Sequence, residues 1–227
     1  MPPIDWTSIF LTLRLSLVTA SILLLIGLPL ALWLARTRNR MRPFIEAIVA
    51  LPLVLPPTVL GFYVLLMLGP NSPVGRFYES ITGTLLPFSF QGLVVASVIF
   101  SLPFAVQPFT AGFRSVPKEL EEASWCLGVS RWGTFWRITF PQSLPGILAG
   151  VVLAFAHTLG EFGVVLMVGG NIAGVTRTVS ISIYDSVQAM DYQTAGWTSA
   201  ILMLFSFAVL AALYTLQKKA PSIWRMN

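Results

Sequence analysis

His157 and Glu161 stand four residues apart in the otherwise apolar run LPGILAGVVLAFAHTLGEFGVVLMV, residues 144–168. On one continuous helix this spacing puts both on one face, where an imidazole and a carboxylate can pair. Three roles are open to them. They can form a satisfied structural contact, joined by Arg14 or Arg177. They can relay protons, as ionisable groups inside gradient-driven transporters do. Alternatively Glu161, flanked by Gly160 and Gly163, can belong to a gate where helices approach closely. Enzyme chemistry fits less well, because an acid–base role for Glu161 would need a metal cluster or a serine–histidine pairing at credible spacing. His157 is the single histidine and Cys126 the single cysteine, so neither a His-rich metal site nor an intrachain disulfide is expected.

A second concentration of chemistry lies at residues 121–141, EEASWCLGVSRWGTFWRITFP. Acids follow Pro117 in KELEEASWC, which suits the first turn of a helix. Gly128 can end that helix in the left-handed conformation, and Ser130 can cap a second short one, stopped by Pro141 and Pro145. Trp125, Trp132, Phe135, Trp136 and Phe140 supply apolar knobs. Glu119, Glu121, Glu122, Arg131 and Arg137 supply a polar rim. Such an element either rests on lipid head groups or docks a partner through its aromatic residues.

The elements that must position these residues are set by composition. The chain is 56% hydrophobic and 10% charged, with mean hydropathy +0.79, whereas a soluble domain carries about 25% charge. One core cannot hide so much apolar surface, so the chain is expected to be an all-α protein embedded in lipid. The net charge of +5 suits topology-setting loops rather than nucleic acid, because the basic residues flank apolar spans. MPPIDW carries no basic leader signature, so the first run is expected to be retained.

A span needs roughly 20 apolar residues, which predicts five, at about 9–34, 44–68, 92–112, 144–168 and 195–216, in a single domain covering 1–227. Residues 179–193 hold Asp185, Gln188, Asp191 and Gln193, and read as interfacial or re-entrant, with a sixth span as the alternative. Arg36, Arg38, Arg40 and Arg42 follow the first span. Arg114, Lys118, Arg131 and Arg137 lie in the loop 113–141, and Lys218, Lys219 and Arg225 near the C-terminus. With five spans these share one side, leaving Arg76 and Arg177 opposite and Arg14 to snorkel. The positive-inside bias then puts the N-terminus outside, with the central loop and C-terminus cytoplasmic. Pro52, Pro56 and Pro57 predict a kink or break in the second span, either for packing or to line a pathway. Pro103 and Pro108 raise the same two possibilities in the third.

The central spacing resembles the EAA loop of bacterial ABC importer permeases: Glu122-Ala123-Ser124, three residues, Gly128, nine residues, Ile138, Thr139, Phe140-Pro141. Ser124 stands where that pattern has alanine, and Phe140 where it has leucine. LPLVLPPTVLGFY, TLGEFG and NIAGVTRTVSISIYD extend the likeness over nearly the whole chain to the molybdate permeases, with sulfate and tungstate permeases sharing much of the pattern. The resemblance implies the type I importer permease fold in a multi-pass protein of the bacterial inner membrane. It also implies a homodimer with two cytoplasmic ATPase subunits and an extracytoplasmic oxyanion-binding protein. ATP and magnesium would belong to the ATPase, since this chain has no G-x-x-x-x-G-K-[ST] phosphate loop and is expected to hold no cofactor, metal or catalytic residue.

Under that resemblance Glu121, Glu122, Ala123, Ser124, Gly128, Arg131, Trp132, Ile138 and Pro141 form the coupling loop to the ATPase. Glu161 is a poor ligand for a dianion, because a carboxylate repels it. Gate and pathway expectations therefore combine Gly160, Glu161, Phe162 and Gly163 with the uncharged donors Thr58, Asn171, Thr178, Ser180 and Ser182.

Overall fold

The computed structural model describes residues 4–223, with the side chains of Leu213 and residues 216–223 outside the description. The side chains of Lys218 and Lys219, and all of Arg225, therefore lie outside the described residues. The described chain is helical throughout. Four helices are long and apolar enough to cross a membrane, and a bent pair makes a fifth if it counts as one span.

α1 (Trp6–Arg36) starts where the Asp5 carboxylate accepts the Ser8 N–H at 3.1 Å. Its buried face is rich in small residues, including Ser8, Thr12, Ser16, Thr19, Ala20 and Gly27. The Thr12 and Ser16 hydroxyls donate to backbone carbonyls one turn back, so these polar groups pack without a debt of lost hydrogen bonds. α5 (Phe90–Arg114) and α8 (Phe140–Leu159) pack with α1 into the central trio. Phe109 is fully buried between Gly27 on α1 and Gly150 on α8, where absent side chains make room for its ring.

The expected second span is two helices, α2 (Arg42–Val54) and α3 (Pro57–Leu68), meeting at 114°. Pro52 is tolerated inside α2. The Pro56–Pro57 step is not, because a proline forces its predecessor into extended backbone, and Pro56 sits at φ −54°, ψ 136°. A short amphipathic helix, α4 (Pro73–Thr82), then precedes α5.

The fourth expected span is corrected at both ends. After α6 (Lys118–Cys126), one continuous helical rod runs from Arg131 to Leu159 through α7 (Arg131–Thr134), a π-helical turn (Phe135–Thr139) and α8. Pro141 and Pro145 do not stop it. The widened turn, in which the Phe140 N–H reaches the Phe135 carbonyl, accommodates Pro141, which lacks its own donor. At the far end the rod breaks over residues 160–162, before α9 (Gly163–Gly169). α9 packs against α3 and α5.

Residues 179–193 do not form a sixth span. α10 (Val179–Gln188) has 10 residues, about 15 Å of helix. It is pinned to α1 where the Val179 N–H donates to Thr12 Oγ1 at 2.8 Å, and Ile181 is fully buried. α11 (Tyr192–Ile223) follows and packs on α10 and α8.

Candidate functional site

Two places collect the chemistry expected from the sequence: the loop around Gly128 and the break at Glu161.

α6 ends in a paired hydrogen-bond closure. The Gly128 N–H donates to the Trp125 carbonyl at 2.9 Å and the Val129 N–H to the Ser124 carbonyl at 3.1 Å, with Gly128 left-handed at φ +80°. Ser130 caps α7, its hydroxyl accepting the Gly133 N–H at 3.1 Å. This hairpin leaves an exposed apolar face: Leu127 is 84% exposed and Trp132 71%, with Trp125 and Trp136 beside them. Trp132 packs edge-on to Trp136 with ring centroids 5.6 Å apart, and the Arg131 guanidinium lies 5.8 Å from the Trp125 ring. Glu122, Ala123, Gly128 and Arg131 are also exposed. The surface has the aromatic and arginine composition of a binding hot spot.

Not every expected loop residue faces outward. Glu121 is only 4% exposed and belongs to the interior. Its carboxylate takes both terminal nitrogens of Arg36 in a two-pronged ion pair, and accepts the Thr139 hydroxyl at 2.6 Å. Ser124 is buried as well, its hydroxyl 3.0 Å from that of Thr134. Ile138 and Pro141 are half-buried in the rod. Arg36, Thr134 and Thr139 did not stand out in the sequence; the only hint was an arginine-rich segment after α1 and an acidic segment after α5. The same end of the bundle holds a second ion-pair group, Arg42 and Arg114 converging on Glu46 at 3.0 and 2.5 Å.

At the break, Pro57, Thr58, Phe100, Ala156, His157, Gly160, Glu161, Phe162 and Gly163 line an open cavity of about 650 Å³. The expected His157–Glu161 pair is absent, because the helix ends at Leu159 and four-residue spacing no longer implies a shared face. His157 Nδ1 instead lies 2.9 Å from the Ser101 hydroxyl, and its ring stacks on Phe104 at 3.8 Å. Glu161 is 4% exposed, and among the described residues neither of its carboxylate oxygens is hydrogen-bonded and the buried Ser97 hydroxyl is also unpartnered. Arg14 lies over the Phe90 ring at 4.5 Å. Arg177 donates to Asn171 at 2.6 Å and sits 3.7 Å from Asp185, so neither arginine joins Glu161.

Thr58, Gly160, Glu161, Phe162 and Gly163 are thus brought together, and a Cβ on Gly163 would lie 2.8 Å from the Pro57 side chain. The two helix breaks share one floor. Asn171, Thr178, Ser180 and Ser182 do not line this cavity. Asn171 bonds Asp185 at 2.7 Å in an exposed cluster. Thr178 is the buried residue preceding α10, and Ser180 and Ser182 are half-buried within it.

Comparison with known proteins identifies the family. The chain is 50% identical over 93% of its length, and 93% of the relative's, to the molybdenum transport system permease protein ModB of Azotobacter vinelandii. It is 33% identical to the probable sulfate transport system permease protein cysT of Zygnema circumcarinatum, over 95% of this chain and 74% of that one. Its fold matches an inward-facing crystal structure of the MetNI methionine ABC transporter with TM-score 0.74 at 17% identity, over 96% of both chains. The family profile described as binding-protein-dependent transport system inner membrane component matches residues 7–221. The chain belongs to that family of multi-pass inner membrane permease subunits.

Proposed function

We propose that the chain is the membrane-spanning permease of an ATP-driven molybdate importer. The observation that carries the substrate is the 50% identity to a molybdenum permease over nearly the full length of both chains. The exposed hairpin around Gly128 supports coupling to a separate ATPase, which supplies the nucleotide chemistry while this chain hydrolyses nothing and holds no cofactor. The working unit is two permeases, two cytoplasmic ATPases and an extracytoplasmic binding protein. Closure of the ATPases draws the hairpins together, and the broken helices around Glu161 exchange between inward- and outward-facing arrangements.

Sulfate is the second reading, favoured by the relative at 33% identity, with tungstate a further candidate on chemical likeness to molybdate. The test is ATP hydrolysis by the complex, assembled in vesicles with its cognate binding protein and offered molybdate, tungstate or sulfate. Molybdate should stimulate most. An equal or larger response to sulfate would overturn the molybdate assignment. Uptake persisting without any ATPase would remove the importer reading and favour a proton relay through Glu161 and His157.

A further inference from the structure

α6 is attached to the rest of the protein in an unusual way. Its buried residues are Glu121 and Ser124, both polar, whereas Leu120 and Trp125 are each 43% exposed. No apolar side chain of α6 is fully buried. Its two chain connections are the break around Pro117 and the turn at Gly128, places where a helix can swivel. Its buried contacts are hydrogen bonds, and these divide by destination. Ser124 reaches Thr134, on the next helix of the same hairpin. Glu121 reaches out of the hairpin, to Arg36 at the end of α1 and to Thr139 in the rod.

We propose that Glu121 is the positioning residue that carries movement of α6, the hairpin arm not continuous with a membrane helix, into α1, and that it is not part of the docking surface. One carboxylate gathers three elements: α6, α1 and the rod leading into α8. Arg36 holds it through both terminal nitrogens, a geometry that resists rotation as well as separation. α1 then runs 24 residues from Arg36 back to Thr12, about 36 Å of helix, and Thr12 accepts the first N–H of α10. A displacement of α6 is thereby delivered to α10, at the other end of α1. Without Glu121 the same displacement would not reach α1, and only the Ser124–Thr134 contact would pass it to the rod. Adjacent residues thus divide the work, with exposed Glu122 facing the partner and buried Glu121 facing the protein's own helices.

This inference rests on the hairpin being the ATPase contact, and the two can fail separately. The complex is assembled in vesicles with its ATPase and binding protein, using whichever of molybdate, tungstate and sulfate stimulates hydrolysis. Two quantities are read: ATPase retained on purification, and anion imported per ATP hydrolysed. For Glu121→Gln, the expected result is retained ATPase with import per ATP reduced at least tenfold. The charge exchange Arg36→Glu with Glu121→Arg should recover part of that ratio. An unchanged ratio in Glu121→Gln overturns the proposal, as does loss of the ATPase in parallel with the ratio. If Glu121→Gln does not fold, Thr139→Val, which removes one hydrogen bond, is judged by the same two criteria. Retention of the ATPase by Gly128→Glu and Trp132→Ala would instead defeat the docking reading, whatever Glu121 does.

Discussion

Gly112 on α5 and Gly146 on α8 meet backbone to backbone: a Cβ on Gly146 would lie 2.6 Å from the Gly112 Cα and 2.7 Å from the Pro108 carbonyl oxygen. Alanine at 146 would gain about 1 kcal/mol of helix propensity. The atoms it meets are backbone and cannot move aside, so overpacking should win, with a net loss of about 1–3 kcal/mol. Gly146→Ala should lower the thermal midpoint in detergent. Gly196→Ala, where a Cβ meets nothing within 4 Å, should not.

At Gly128 the constraint is conformational rather than steric. A Cβ there has open space, but φ is +80°. Gly128→Ala should cost the hairpin about 1–2 kcal/mol, and Gly128→Asn less, since asparagine tolerates the left-handed region. ATPase retention on purification should rank glycine above asparagine above alanine. Equal retention by all three would show that the turn does not set the docking geometry.

Glu161 separates stability from function. Among the described residues its buried carboxyl has no hydrogen-bond partner within normal distance, and the nearby buried Ser97 hydroxyl is unpartnered too, so Glu161→Leu with Ser97→Ala removes desolvated polar groups without stranding another, and thermal stability should hold or rise. Import should nevertheless fall if the cavity lies on the pathway. Glu161→Leu importing at the normal rate would remove Glu161 from the gate.

Acid should loosen α6. Burial pushes the Glu121 carboxyl up, but the hydrogen bonds from Arg36 and Thr139 outweigh it, holding the group below its ordinary value of 4.5. A depressed value in the folded state contributes stability that is fully present above 4.5 and is lost as pH falls through the depressed value. Protection of the α6 amides, corrected for the intrinsic exchange rate, should therefore be unaffected by this group from neutral pH down to its ordinary value, and fall below it. Glu121→Gln should show lower protection at neutral pH and lose that acid dependence.

Much of this molecule is legible in the residues because its signals are local. The Pro56–Pro57 step announces a break, Gly128 a helix end and Ser130 a helix start, and each depends on only a few neighbouring residues. The residues mislead where the deciding contact is distant or the backbone irregular. Pro141 reads as a stop unless a π turn precedes it. The Gly160–Phe162 break hides in an apolar run whose hydropathy never falters, so His157 and Glu161 look paired when they are not. Arg36 and Glu121, 85 residues apart, are joined by tertiary packing alone. Of the expected polar pathway, Thr58 reached the cavity because it adjoins a break. Thr178, Ser180 and Ser182 went to α10, whose placement depends on α1.

The π turn that admits Pro141 makes the second arm of the exposed hairpin and the membrane span one rod of 29 residues, about 43 Å long. α5 follows that rod from the Gly112–Gly146 contact to Ser101, whose hydroxyl lies 2.9 Å from that of Thr158, one residue before the rod ends. Rod and α5 are therefore joined along this stretch, and travel at Trp132 can reach Glu161 only if the two shift together.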